Sequence, residues 1–110
     1  MATTVTAQLP ATVNLAAWHG DTYTQQFQVL AGDQPIDLTD LDIQSSVQGT
    51  DGTVTQLVVS VIGDPINGTF QIATPGLVAD LYQYDIQATD PDGTRNTWIA
   101  GHLRIHQDVT

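Results

Sequence analysis

Residues 81–106, LYQYDIQATDPDGTRNTWIAGHLRIH, contain the pattern that decides the fold class of this chain. In residues 81–88 the even positions are apolar or aromatic, and in residues 98–106 the apolar side chains again recur on one face. Asp92-Gly93 stands between the two runs and supplies the positive φ values that tight hairpins need. Two runs of period two joined by such a turn predict two antiparallel strands with one buried face.

The same alternation continues towards the amino terminus. Residues 13–17 and 23–29 carry apolar side chains at odd positions, and in residues 41–47 only Ser45 is polar on the inner side. Asp-Gly, Asp-Pro, Asn-Gly and Pro-Gly pairs separate the runs, and no helical pattern interrupts residues 13–105. About seven strands with short links predict an all-β fold, an immunoglobulin-like antiparallel β-sandwich.

One run departs from the alternation. Residues 57–62 are apolar at nearly every position, although neighbouring runs have a polar face. A strand of this kind is either covered on both faces or presents part of its apolar surface to a partner. In the second case Val58 and Ile62 are the side chains that face the partner.

The composition bounds both the size of the protein and its chemistry. With 110 residues there is room for one domain with a real core, and not for a second globular unit. Twelve Asp, no Glu, no Lys and two Arg give a net charge of −10 with neutral histidines. Asp favours turns whereas Glu and Lys favour helix interiors, which agrees with an all-β fold. So acidic a chain argues against nucleic acid as a partner, and the absence of cysteine removes disulfides and thiolate chemistry.

The amino-terminal segment differs from the rest of the chain. Residues 1–10 are small, β-prone and poor in large apolar groups, so they predict an extended arm. Such an arm can add as a strand to a neighbouring sheet edge, with Val5 and Leu9 as its candidate interface residues. The start lacks the features of a signal peptide, so we expect synthesis and retention in the cytoplasm, with no membrane as a partner. The expected organisation is an arm over residues 1–11, a β-sandwich over residues 12–107 and a short tail over residues 108–110.

Three side chains of the last strand, His102, Arg104 and His106, share the face opposite the apolar one. Four residues of strand span about 13 Å, so the two histidines do not chelate one metal ion. The simpler interpretation is a solvated stripe. The alternative is a locally cationic patch that suits an acidic neighbour.

Aspartates also offer oxygen ligands for calcium. Asp90 and Asp92 flank one proline, and Asp37, Asp40 and Asp42 form a second cluster. The first group lacks the third acidic position and the distal Glu of an EF-hand loop, which favours turn formation. We therefore predict neither a metal nor any other cofactor.

No pattern of catalytic residues stands out, and we expect a protein that is not an enzyme. Ser45, Ser46 and Ser60 lie in strand interiors and outside any Gly-x-Ser-x-Gly elbow, which gives nucleophilic hydrolysis little support. The indoles of Trp18 and Trp98 lie near strand ends. They are either core packing or anchors of an interface.

The order of turns and strands resembles the β-sandwich modules of tailed-bacteriophage virions, including the amino-terminal domain of upper baseplate proteins and small head or tail accessory proteins. The resemblance covers most of the chain and rests on turn chemistry and strand spacing, not on a catalytic signature. It implies a docking and assembly module. The segments that carry it are Gly20-Asp21-Thr22, Pro35-Ile36-Asp37-Leu38-Thr39, Tyr82-Gln83-Tyr84-Asp85-Ile86, Asp90-Pro91-Asp92-Gly93-Thr94 and Gly101-His102-Leu103-Arg104-Ile105.

The function expected from this resemblance is that of a capsid decoration (cement) protein, which binds on or between major capsid subunits in the virion and stabilises the head. The alternative is a baseplate or tail-tip adaptor that docks a receptor-binding protein, and the remote alternative is a carbohydrate-binding module. Expected partners are other virion proteins and further copies of the chain in a symmetric assembly. The candidate interface residues are Val5, Leu9, Trp18, Val58, Ile62, Trp98, His102, Arg104 and His106.

Overall fold

The fold is known from a computed structural model, which describes residues 2–6 and 11–107. Ten β-strands account for most of these residues, and the 3₁₀ helix Pro65–Asn67 is the one helical segment among them. In chain order the strands are β1 (Ala2–Thr6), β2 (Ala11–Thr12), β3 (Leu15–Trp18), β4 (Thr24–Ala31), β5 (Gln34–Pro35), β6 (Asp42–Gln48), β7 (Val54–Val61), β8 (Thr69–Ala73), β9 (Asp80–Thr89) and β10 (Arg95–His106).

The strands form two sheets that share β7. In the first sheet β4 lies between β1 and β8, and residues 58–61 of β7 pair with β8. In the second sheet residues 54–57 of β7 pair with β6, and β9 and β10 follow. The short strands β2 and β3 complete this sheet against β10. Because β7 passes from one sheet to the other between Leu57 and Val58, it forms a corner of the sandwich.

The core lies between the sheets and contains the inward side chains of both. Phe27 of β4 and Phe70 of β8 are fully buried, with ring centroids 5.7 Å apart. The Phe70 ring also lies 6.3 Å from the ring of Trp98 on β10, so this contact joins the two sheets. Large rings in this position bury much apolar surface, which is the main favourable contribution to folding.

The predicted all-β fold class is confirmed, and so are the predicted strand faces. In β9 the even positions Tyr82, Tyr84, Ile86 and Ala88 are buried, whereas the odd positions are not. The strands at two sheet edges run in directions that the sequence analysis did not predict. β1 runs parallel to β4, and β2 and β3 run parallel to β10. Alternation shows which face of a strand is buried but not which neighbour it pairs with, so these parallel edges were not predictable from it. The immunoglobulin-like detail stays a prediction.

The two Asp-Gly-Thr segments form the turns that the sequence indicated. Gly52 and Gly93 have φ values of +86° and +92°, in the left-handed region. In both turns the aspartate before the glycine accepts the amide of the following threonine, at 2.9 Å for Thr53 and 3.0 Å for Thr94. A positive φ favours glycine at these positions because a Cβ strains that conformation.

The amino-terminal arm is described in part. Residues 2–6 form β1, which pairs along β4 with Val5 opposite Val29. Leu9 lies outside the described residues, as do the predicted tail 108–110 and the rest of the segment that joins β1 to β2, so the predicted domain boundaries stay predictions. Among the described residues, no helix has the length and apolar character that a membrane crossing requires.

Candidate interaction surfaces

The outer face of β10 carries a row of basic side chains, His102, Arg104 and His106, which we call the basic stripe. All three are exposed, whereas Leu103 and Ile105 between them are buried. This arrangement follows from the period of two of a strand. The predicted common face is confirmed, and its role as an interface stays a prediction.

Small and apolar side chains flank Arg104 on both neighbouring strands, whereas His102 lies opposite Gln83 of β9. Arg104 lies opposite Ala16 of β3 and opposite Leu81 of β9. Leu81 is 38 % exposed, so the guanidinium group stands beside open apolar surface. On the same face of β9, Asp85 lies opposite Ala100, further along the strand. Within the described residues no carboxylate forms an ion pair with Arg104, which leaves its charge available to a partner.

Trp18 ends β3 beside the basic stripe. Its indole is 52 % exposed, and its ring centroid lies 5.3 Å from that of His106 with the planes inclined at 46°. Two hydrogen bonds of His19 fix the chain immediately after Trp18. The amide of His19 donates to the carbonyl of His106 at 2.8 Å, and Nδ1 of His19 accepts a bond from the amide of Ala79 at 3.1 Å. An exposed ring on such a fixed backbone loses little conformational freedom on contact, which is typical of an interface anchor.

A groove of about 530 Å³ opens at the other end of β10, and we call it the terminal groove. Ile36, Leu41 and Trp98 supply apolar lining, and Asp37 and Asp90 line it as well. It forms where the links β4–β5, β5–β6 and β9–β10 come together. The terminal groove therefore combines apolar surface with carboxylates.

The surroundings of the terminal groove are acidic. Asp33, Asp40 and Asp92 belong to the same three links and are exposed. Among the described residues, the one arginine or lysine near these links is Arg95, at the start of β10. Acidic links therefore surround the start of β10, where Arg95 also lies, and the basic stripe lies on its last residues. Two aspartates lie near the stripe as well, because Asp80 of β9 is opposite Ile105 and Asp21 follows Trp18 in the next turn.

Two of the exposed aspartates at this end stabilise turns. The hydroxyl and the amide of Thr39 both donate to the Asp37 carboxylate, and these bonds hold the pKa of Asp37 below its usual value. The amide of Thr94 lowers the pKa of Asp92 in the same way. The described residues contain no group of three or more His, Cys, Asp or Glu side chains placed to hold a metal ion.

Asp80 has a similar role at the other end of the sandwich. Its carboxylate accepts the amide and the hydroxyl of Thr50, each at 3.0 Å, and the amide of Leu81 at 2.8 Å. These bonds, the Thr50 amide first among them, lower the pKa of Asp80. They connect the β6–β7 turn to the start of β9.

β7 presents a second apolar surface. Val54, Val58 and Val61 are 55 %, 64 % and 43 % exposed, whereas Leu57 is buried and Ile62 is half-buried. Within the described residues each position of β7 pairs with one neighbouring strand, and the strand carries no charged side chain. Of the two alternatives for this segment, the structure favours an exposed face, to which Val58 contributes more than Ile62.

The second tryptophan has a different environment from the first. Trp98 is 6 % exposed and packs against Phe70, so its indole belongs to the core and reaches the surface only where it lines the terminal groove. Tyr82 and Tyr84 are also buried, and burial raises the pKa of the Tyr84 phenol. Trp18 is the only aromatic side chain of the described residues that is more than half exposed, so these residues form no flat aromatic platform for a sugar.

The terminal groove is the feature that sequence reasoning missed. Its lining comes from residues 31–41 and 90–98, which are distant along the chain. Each of its links was interpreted as a turn by itself, and a turn residue shows nothing of what it meets in space. One feature of the sequence could have indicated the groove. The apolar residues Ile36 and Leu41 stand among exposed aspartates in a link that forms little regular structure.

Comparison with solved structures shows where this fold occurs. The N-terminal domain of phage TP901-1 ORF48 is similar with a TM-score of 0.56 and 13 % identity, and the match covers 94 % of each chain. A family 123 glycoside hydrolase from Clostridium perfringens, studied for glycolipid glycan hydrolysis, is similar with a TM-score of 0.60 and 12 % identity. That match covers 90 % of this chain and 23 % of the hydrolase. No family model and no curated protein matches the sequence. At these identities the common property is the fold.

Proposed function

We propose that this chain is a non-enzymatic structural module of a tailed-bacteriophage virion, which docks onto other virion proteins through the surfaces of its sandwich. The observation that carries the proposal is the likeness to the N-terminal domain of a phage protein over 94 % of both chains. The likeness to the hydrolase concerns 23 % of that enzyme and gives no reason to assign its reaction to this chain. The resemblance of the turn and strand order to phage virion modules supports the same proposal.

The use of the side chains favours docking over catalysis. Asp37, Asp80 and Asp92, whose carboxylates are obvious candidates for chemistry, accept hydrogen bonds that shape turns. Trp18 and Val58, in contrast, expose more than half of their apolar surface. Exposed apolar groups beside polar ones are typical of surfaces that contact other proteins.

Within the virion, the first candidate is capsid decoration. A small sandwich that binds on or between major capsid subunits makes few contacts per copy, but symmetry repeats them, and the repeated contacts stabilise the shell together. Self-association of neighbouring copies belongs to the same proposal. The net charge of −10 argues against packaged nucleic acid as the partner.

The second candidate is a baseplate or tail-tip adaptor that docks a receptor-binding protein. The observation that favours it is that the similar phage structure is an N-terminal domain, which is part of a larger protein. A sandwich of this fold therefore occurs as one part of a larger phage protein, as an adaptor that carries a receptor-binding protein requires.

The experiment is localisation of the chain in purified virions of the phage that encodes it. Mass spectrometry of gradient-purified particles tests for the chain, and cryo-electron microscopy with symmetry averaging finds its position. We expect density that fits the two sheets at regular capsid positions. Density confined to the tail end would replace decoration by the adaptor function, and absence of the chain from particles would overturn the virion proposal.

A further inference from the structure

The basic stripe and the terminal groove lie towards opposite ends of β10, and the side chains that form them, His102, Arg104 and His106 against Asp37 and Asp90, differ in charge. We infer that the basic stripe of one copy, together with Trp18, docks into the terminal groove of a second copy. This inference deepens the self-association of the proposed function and rests on it, because it names the surfaces that make the contact.

The charges of the two surfaces are opposite and open to contact. Arg104 has the apolar cross-strand neighbours Ala16 and Leu81, and its guanidinium group is the side-chain group that best pairs with carboxylates across an interface. In the terminal groove Asp37 and Asp90 are carboxylates, and the Asp90 side chain accepts no hydrogen bond within the described residues. Opposite charges on two surfaces steer encounter and fix the register of a contact.

The apolar parts of the two surfaces also match. Trp18 is 52 % exposed at the edge of the stripe, and Ile36 and Leu41 give the groove an apolar lining. The groove volume of about 530 Å³ lies in the range of pockets that hold organic groups larger than an indole, roughly 300–1,000 Å³. Interface hot spots usually contain a large aromatic side chain, such as an indole, that fills an apolar pocket with charged groups around its rim.

The overall negative charge does not prevent this contact. Two copies of net charge −10 repel at long range, but the Debye length at physiological ionic strength is about 8 Å, so distant charges are largely screened. The charges that remain effective are those at the contact itself. There Arg104 meets Asp90 and Asp37, which favours association.

Trp18 is too far from the groove of its own chain to enter it. It lies opposite His106, which is eight residues along β10 from Trp98 of the groove, about 26 Å at the usual rise of a strand. One copy therefore cannot fill its own groove. A contact between two different surfaces of identical chains closes into a ring or continues from copy to copy, so it can build an assembly of many copies.

Charge reversal and its repair test the inference. Arg104→Asp and Asp90→Arg are measured separately and as an equimolar mixture by sedimentation equilibrium of the full chain. We expect self-association of the wild-type chain, weakening by about tenfold or more in each variant alone, and recovery in the mixture. Recovery is expected because the intact stripe of Asp90→Arg meets the intact groove of Arg104→Asp, and the two reversed surfaces attract each other as well.

A matched control comes from the second arginine. Arg95→Asp and Arg104→Asp each take the net charge from −10 to −12, since one positive charge is replaced by one negative charge. Arg95 lies at the groove end, so Arg95→Asp is expected to keep or strengthen association. Arg104→Gln and Trp18→Ala repeat the test with milder changes, and circular dichroism checks that each variant keeps its strand content.

Three results would overturn the inference: a monomeric wild-type chain at every concentration, equal weakening by both arginine variants, or association that Val58→Lys abolishes and Arg104→Asp leaves intact. The last result would assign self-association to β7. These outcomes are independent of virion localisation. A chain that is monomeric but present in particles contradicts this contact and the self-association but not the virion location, and a chain that self-associates but is absent from particles contradicts the virion location alone.

Discussion

Two tyrosines on the inner face of β9 show how the same side chain makes different contributions. The Tyr84 hydroxyl donates to the carbonyl of Val13 at 2.6 Å and so joins β9 to the link between β2 and β3. The Tyr82 hydroxyl donates to the carbonyl of Val78 at 2.9 Å, four residues before it. The first bond connects distant parts of the chain, and the second is local.

Tyr84→Phe is expected to lower the free energy of unfolding by about 1–2 kcal/mol, because it removes the hydrogen bond and leaves the Val13 carbonyl without this donor. Tyr82→Phe is the matched control, with an expected loss of about 0.5 kcal/mol or less, because Val78 is 64 % exposed and water can replace the phenol. Urea unfolding measures both values. Equal losses in the two variants would contradict the assignment of a structural role to the Tyr84 bond.

The two tryptophans mark the limit of prediction for single residues. Both lie near strand ends in the sequence, and that position agrees equally with core packing and with an exposed anchor. Trp98 is on the inner face of β10, where Phe70 of the other sheet reaches it, whereas Trp18 points outwards beside His106. The difference arises from which residues of β3 and β10 face the other sheet, and sequence position near a turn does not give that information.

At the scale of elements, β7 is the strand that joins the sheets. Its residues 54–57 belong to one sheet and its residues 58–61 to the other. Leu57 is 7 % exposed at the corner, and its neighbour Val58 is 64 % exposed. Adjacent positions of this strand therefore have opposite environments, although the sequence is apolar at both.

Leu57→Ala is expected to lower the free energy of unfolding by about 2–4 kcal/mol, because it leaves a cavity where the two sheets meet. Val58→Ala, the control at the next position, is expected to change it by about 0.5 kcal/mol or less, because an exposed methyl group contributes little. Chemical denaturation gives both numbers. A loss at Val58 as large as that at Leu57 would show that the outer face of β7 is covered.

The strand faces were predictable from the sequence, and the strand partners were not. Ser45 illustrates the first point: it was placed on the inner side by parity alone, and it is 2 % exposed with its hydroxyl bonded to the Asp85 carbonyl at 2.8 Å. The parallel edges and the crossing between Leu57 and Val58 illustrate the second, because period-two alternation holds for any partner. The basic stripe was predictable for the same reason as Ser45. The terminal groove was not, because it needs three links to meet in space.

β1 is expected to protect the edge of β4. Deleting residues 2–6 removes a parallel pairing of five residues with β4, so amide hydrogen exchange in residues 26–30 should accelerate. Amides of residues 82–88, in the middle of the other sheet, serve as the internal control and should be unchanged. A variant in which residues 2–6 are replaced by glycine and serine separates loss of pairing from loss of length.

If exchange in residues 26–30 stays at the wild-type rate in both variants, β1 does not stabilise this edge. Incorporation of the same variants into particles then tests the arm as an interface. A free edge without lysine is open to pairing with other chains, so faster aggregation of the deletion variant is a further expected result.

At the scale of the whole molecule, the charge is unbalanced but organised. Twelve aspartates and two arginines give a net charge of −10, and three of the aspartates, the exposed Asp37 and Asp92 and the half-buried Asp80, accept turn hydrogen bonds. These bonds lower the pKa of each of the three carboxyls. The acidic composition thus contributes to the fold as well as to surface charge.

The lowered pKa values determine how stability depends on acid. Because the folded chain holds these carboxyls ionised at a pH where the unfolded chain protonates them, the unfolded state binds more protons below about pH 4. The stabilisation is therefore present above that pH and is lost as the pH falls through the folded pKa values. We expect the melting temperature to decrease steadily from about pH 4 to about pH 2.

Asp80→Asn tests this origin of the acid sensitivity. An amide at this position does not titrate, so the variant is expected to be less stable than the wild type near neutral pH but to lose less of its melting temperature on acidification. Asp21→Asn is the control, because Asp21 is exposed and its carboxylate accepts no hydrogen bond within the described residues. Thermal unfolding followed by circular dichroism across this pH range measures all three proteins. If Asp80→Asn and the wild type lose the same melting temperature, the Asp80 bonds to Thr50 and Leu81 do not contribute to the acid response, and general protonation of the surface explains it instead.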